Sequence, residues 1–446
     1  MTKSLIWILF GMSAVSGCGS VSDRSPDAAG AEDGGGGSGG DAGGGSSSDA
    51  GGGGIDAGGI DAIDAMAPVC TANQALRCDG TTLVSCNGDG TAEVRETCAL
   101  GCNAAAVRCN DVNPSNNLAA FLDMAVAEPP FDFGSMAVLD TDNGSVTIDR
   151  QPVVVRSATL AQTSAPTIRV FIVKNLTAIA VTATGRNALA IVSDGDIQIG
   201  GVFTASAVSN TAGPGGFNDG GCRGSPGGAP VAGGAAGGAG GGAFGLNAGR
   251  GGSAMNDNGT SVGGIGGTAT GNPTLIPLRG GCDAGTVGAS LFGAGGGAIQ
   301  LVSRTKIRVT GNVAANGASD SGGGSGGGIL LEAPAVEVTG TVVANGGGGA
   351  GGCLFPRAGE DGRLDATPAS GGIACDVGNG RDGGTGGAGN QGARNGGSLS
   401  VSGTGPAFAG AGGGSVGRIR VNTVSGGLSG NGVFSPNPTT GAIGTR

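Results

Sequence analysis

Two kinds of residue in this sequence could do chemistry. Asp140 with Asp142, and Asp194 with Asp196, stand two apart within stretches that alternate apolar and polar residues. Residues two apart on a strand face the same side, so either pair could bring two carboxylates together for acid–base cleavage of a glycosidic bond. Both pairs also read as ordinary turns, Thr141-Asp142-Asn143-Gly144 and Ser193-Asp194-Gly195-Asp196, and neither has a basic or aromatic cluster beside it to hold a sugar. The other reactive type is cysteine. Eleven are present: Cys18 alone; Cys70, Cys78, Cys86, Cys98, Cys102 and Cys109 close together; and Cys222, Cys282, Cys353 and Cys375 spread through the remainder. The two larger groups are even, as expected of an exported chain that oxidises its thiols in pairs. Zinc is the competing use, but no Cys-x-x-Cys pair and no histidine is present to build its ligand set.

The missing residue types exclude more. Without histidine there is no Ser-His-Asp or Cys-His catalysis and no imidazole metal site. Tyrosine is absent and the single tryptophan is Trp7, which leaves no stacking platform for sugars or single-stranded nucleic acid. A net charge of −10 with three lysines argues against a phosphate backbone as partner. The glycine runs lack the Gly-Lys-Ser/Thr ending of a phosphate loop. No catalytic residue, cofactor or metal is therefore expected, and the chain reads as a non-enzyme. The alternative is a carbohydrate-active β-helix enzyme, a polysaccharide lyase or hydrolase working through the paired aspartates.

The N-terminus supplies an address. Residues 1–17 carry Lys3, then the apolar run Leu5-Ile6-Trp7-Ile8-Leu9-Phe10, then small residues ending in Val15-Ser16-Gly17-Cys18. The apolar run is too short to span a bilayer, and the order of regions is that of a secretion signal. Its ending resembles the bacterial lipobox, which implies cleavage before Cys18 and acylation of its thiol and new amino group. Two or three acyl chains, each CH₂ contributing about 0.8 kcal/mol, make a stable anchor. Gly19, where an Asp would retain the protein in the inner membrane, points to the outer membrane and the cell surface. Residues 18–67 follow as Gly, Ala, Ser and Asp with nine acids from Asp23 to Asp64 against one base, Arg24. Such a segment cannot bury enough apolar area to order itself, and its charge extends it as a disordered linker.

Residues 68–112 hold the six clustered cysteines but few large apolar residues, so three disulfides must supply what burial does not. Six cysteines allow fifteen connectivities, and spacing does not choose among them.

From residue 116 to 446 the pattern is that of a long β domain. Asn117 to Glu128 predicts a helix with Leu118, Phe121, Leu122 and Ala125 on one face, Asn117 as cap and Pro129-Pro130 as stop. Val146 with Ile148, Val153 with Val155, Ile168 with Val170 and Ile172, and Ile179 with Val181 then alternate as half-buried strands do. Residues 298–317, AIQLVSRTKIRVTGNVAANG, match 327–346, GGILLEAPAVEVTGTVVANG, at a shift of 29, and 188–207 at a shift of 110. A repeat of this length with short strands and Gly/Asn corners predicts an all-β solenoid, a right-handed parallel β-helix whose N-terminal end the 118–128 helix caps. A β-sandwich, the runner-up, would pair its strands antiparallel. In the solenoid, Arg308 would lie beside Glu337, Val309 beside Val338 and Asn316 beside Asn345. Glycine-rich insertions at about 210–296 and 346–397 interrupt the repeat, each holding two cysteines, so Cys222 is expected to bridge Cys282 and Cys353 to bridge Cys375. They are either disordered loops or extended polyglycine strands packed together.

Taken together, the lipobox, the acidic Gly/Ala linker, the six-cysteine module and the glycine-rich repeat resemble surface lipoproteins abundant in myxobacteria. That resemblance implies a lipid-anchored surface protein with structural, adhesive or interaction roles. It implies a membrane contact through Cys18 and a polysaccharide or other cell-surface partner, and it brings no catalytic residue.

Overall fold

The structure is a computed structural model, and it describes residues 69–219, 221–287, 292–375 and 378–446. The signal segment, Cys18 and the linker to residue 67 lie outside the described residues.

In the cysteine module, strands Ala75–Asp79, Thr82–Cys86 and Glu93–Thr97 form an antiparallel sheet, and Cys102–Asn103 pairs with Arg108–Cys109 as a hairpin. Three disulfides fasten these pieces: Cys70–Cys86, Cys78–Cys102 and Cys98–Cys109. Of the module's apolar residues, Val84, Cys86, Cys98 and Val112 are buried, and Val112 packs against the body, so the bridges take the place of a core.

Beyond the module the chain is almost wholly β. Successive strands alternate between two large sheets, of seven and eleven strands. The chain passes from Ile168–Val173 in the first sheet to Leu176–Thr184 in the second, and then from Ala188–Ser193 back to Ile197–Thr204. Ala298–Ser303, Gly328–Glu332 and Arg418–Thr423 continue the first sheet in parallel. Antiparallel pairing in these two sheets occurs only at the early edge strands Val146–Ile148, Gln151–Val153 and Arg156–Leu160. Phe171, Ile191, Leu301 and Leu331 of the first sheet face Phe203, Val309, Val313 and Val338 of the second across one shared core.

The register follows the repeat with one adjustment. In the second sheet Ile307, Arg308 and Val309 lie beside Val336, Glu337 and Val338, the expected shift of 29. In the first sheet Ile299 lies beside Ile329 and Leu301 beside Leu331, a shift of 30. Between the pairs Val302–Glu332 and Lys306–Ala335, three residues, Ser303 to Thr305, lie in one copy where Ala333 and Pro334 suffice in the next. At the far corner the Asn316 side-chain oxygen accepts the Asn345 backbone N–H at 2.8 Å, and the Asn345 oxygen accepts the Ser435 hydroxyl.

Three expectations need correction. The helix spans Ala119–Ala125, and Asn117, at φ +60°, does not cap it; Leu118 holds the N-cap position without a side-chain bond. Nor does the helix close the end of the stack. Its buried Leu118, Leu122 and Ala125 pack on the outer face of the first sheet, against Ile168, Val170 and Ile172. The two early strands of that sheet, Ile168–Val173 and Ala188–Ser193, are buried on both faces, as parallel strands covered on both sides are, and the helix covers the second face there. Ile179 is 51% exposed, because the register shifts between Ala178 and Ala180 and turns it outward.

The described parts of the glycine-rich insertions are ordered, and their glycine runs at 235–245 and 346–353 are buried throughout. Gly240, Gly241 and Gly242 donate their N–H groups to three different segments, at Ser225, Gly249 and Gly323. Every third residue returns to the same neighbour: Gly238 and Gly241 donate to Gly252 and Gly249, and Gly346, Gly349 and Gly352 donate to Gly387, Gly384 and Arg381. A period of three is that of the extended polyproline-II helix, which makes no internal hydrogen bonds and here satisfies its backbone through neighbours on several sides. The segments sit too close for side chains: a Cβ on Gly238 would lie 2.0 Å from the Gly410 carbonyl oxygen. Cys222–Cys282 and Cys353–Cys375, the expected pairs, fasten this layer.

Candidate functional site

The four candidate aspartates occupy turns. Asp140, which ends the strand Phe131–Asp140, accepts the Asp142 backbone N–H at 2.8 Å on one oxygen and the Asn143 amide at 2.7 Å on the other. Asp142 accepts the Arg186 backbone N–H at 2.7 Å and pairs with its guanidinium. Asp194 is ion-paired to Lys174 and Arg304, and Asp196 accepts the Thr305 hydroxyl at 2.6 Å. Each carboxylate is occupied in holding a corner, so the turn reading of these sequences describes them.

Arg304 belongs to a larger cluster. It binds Asp111 at 2.8 Å, Asp123 at 3.1 Å and Asp194, while the terminal Arg446 binds Asp111 at 2.8 Å and also Asp123. Partial burial works against the Asp111 carboxylate, but the hydrogen bond and charge of Arg304 outweigh it and hold its pKa below the ordinary aspartate value. Asp123 is lowered as well, chiefly by its hydrogen bond from Arg446. The cluster ties the end of the cysteine module, the helix, a sheet corner and the C-terminus together, which is structural work.

A groove in which polar side chains are set among apolar ones is the better candidate for function. Two adjoining hollows of about 730 and 480 Å³ share Thr163 and Pro277. One is walled by the segment Asn113 to Ala120, the other by Asp219 and the stretch from Thr270 to Arg279. Asn113, Asn117, Thr163 and Ser164 stand exposed along it. Arg279 is paired with Asp219, donates to the Thr270 carbonyl and lies over the Phe244 ring at 5.8 Å. Two solvent-shielded oxygens here have no partner, Asp219 Oδ1 and Thr270 Oγ1. The groove thus offers amides, hydroxyls and a neutralised Asp–Arg pair, the groups that exchange hydrogen bonds with a polyol. Asp219 also lies near the sulfurs of Cys222 and Cys282, but those are joined to each other and offer no thiolate to a metal.

Neither Asp219 nor Arg279 stands out in the sequence. The signal was the disulfide: Asp219 precedes Cys222 by three residues and Arg279 precedes Cys282 by three. Joining the two cysteines brings the two charges together. Compared with known proteins, the chain matches no family model, no curated protein and no solved structure.

Proposed function

We propose that this chain is a non-enzymatic surface lipoprotein, anchored in the outer membrane through acylated Cys18 and holding its β body away from the membrane on the 18–67 linker. The strands that alternate between the two parallel sheets are read as coils of a right-handed β-helix. Its role is adhesive: the groove at Asp219, Thr270 and Arg279 takes a hydroxyl-rich polysaccharide of a neighbouring surface. The observation that carries this reading is the pair of unpartnered oxygens, Asp219 Oδ1 and Thr270 Oγ1, shielded beside Arg279. Unmet hydrogen-bonding capacity in a groove is what a polar ligand supplies. The five disulfides support an oxidising destination.

Two measurements test it. The full mature chain, screened against immobilised polysaccharides, should bind at least one without releasing reducing ends. Thr270→Val, which removes a hydroxyl that has no protein partner, should weaken that binding roughly five- to tenfold while leaving the melting temperature unchanged. Release of reducing ends, or binding indifferent to Thr270→Val, would overturn the adhesive reading. In cells, Cys18→Ser should abolish acyl labelling; a labelled Cys18→Ser protein excludes the anchor.

A further inference from the structure

A second cavity, of about 590 Å³, opens on the glycine layer and shares no residue with the groove at Asp219. Its walls are apolar: Pro226, Pro230, Ala236, Leu354, Pro406 and Phe408, set among glycine backbone. Among the described residues no charged side chain lines it. One polar side chain among them does, Ser321, which is 1% exposed and whose hydroxyl has no hydrogen-bond partner. A buried hydroxyl left unpaired costs about 1–3 kcal/mol, while an apolar cavity of this size is in the range that holds small ligands.

We propose that this cavity binds a neutral, mostly apolar small molecule that carries one hydrogen-bonding group, with that group on Ser321 Oγ and the apolar part against Phe408 and the prolines. The head group is neutral because nothing in the wall would compensate a buried charge. A hydroxyl suits it best, since Ser321 can both donate to it and accept from it. The molecule could be a shed lipid alcohol or a small aromatic alcohol, and both share this chemistry.

Calorimetric titration of the full mature chain tests the proposal with 1-octanol, 2-phenylethanol and octanoate as probes. At least one of the two alcohols should bind with a stoichiometry of one, and the better one names the source. Octanoate, similar in length to 1-octanol but charged, should bind at least tenfold more weakly. Ser321→Ala should weaken the bound alcohol roughly five- to tenfold without lowering the melting temperature, because the hydroxyl it removes bonds to nothing in the protein. Ala229→Trp, at the exposed rim, should block both alcohols and keeps the test open should Ser321→Ala fold poorly. Absence of binding by either alcohol, octanoate binding as well as the alcohols, or full affinity in both variants would overturn it.

Discussion

Glu332 carries a carboxylate into the middle of the first sheet, where it is 1% exposed. Neutral donors surround it: Ser115 N–H at 3.1 Å, Ser115 Oγ at 2.8 Å, Gln300 Nε2 at 2.6 Å and Asn422 Nδ2 at 2.9 Å. All of them need an acceptor, and a carboxylate has the lone pairs to serve them together. Glu332→Gln would turn an amide NH₂ against that ring and leave buried donors unpaired. The expected cost is about 2–4 kcal/mol, read from the urea midpoint; an unchanged midpoint would mean that the ring does not depend on the carboxylate. The oddity was not visible in the sequence, where the shift of 29 sets Glu332 beside the polar Ser303; only the shift of 30 in the first sheet puts it beside the apolar Val302. Nor was its purpose, because Ser115 lies 217 residues away and no local pattern connects them.

Whole elements were more legible where a period governs them. Alternation located strands such as Ile168–Val173, and the repeat placed Val309 beside Val338 in parallel. Val309→Asp should therefore unfold the body at room temperature, with loss of its β circular-dichroism signal, because the carboxylate would enter the shared core with no partner. The helix was misplaced for a physical reason: its apolar stripe says that it is covered, and nothing in seven residues says by which surface. Order in the glycine layer was harder still. Its signal is a hydrogen-bond period of three carried by backbone alone, and glycine-rich sequence is compatible with both a lattice and a loop. The lattice makes a position-by-position prediction. Gly238→Ala drives a methyl into the Gly410 carbonyl and should cost more than about 2 kcal/mol. At the next residue, Ala239→Gly only removes a methyl from the Ala239–Ala350–Ala411 cluster and should cost about 1 kcal/mol. Equal melting temperatures for the two variants would argue that the segment is not packed in this way.

For the molecule as a whole, the cluster of Asp111, Asp123, Asp194, Arg304 and Arg446 joins parts of the chain that are far apart in sequence. Asp111 and Asp123 have pKa values depressed in the folded state. Their contribution is complete above the unfolded aspartate value of about 3.9 and is lost as pH falls through the lower folded values. The melting temperature should hold level from neutral pH to about 5 and fall below about 4, and Asp111→Asn should reduce that acid loss. An unchanged acid slope in Asp111→Asn would remove the cluster from the account of acid stability.

The C-terminal residues also run back along the entry to the body: Asp111 and Arg446 exchange backbone hydrogen bonds at 3.0 Å in both directions, and Asn113 N–H reaches the Gly444 carbonyl at 2.9 Å. Tension arriving through the cysteine module therefore meets a clasp before it meets either large sheet. The load passes into the last strand of the first sheet, Thr439–Ala442, as well as into the segment leading to the helix, and both ends of the stack carry it together. Strands loaded from one edge alone could be peeled off in order; with the load shared between two edges, no single strand is placed to go first.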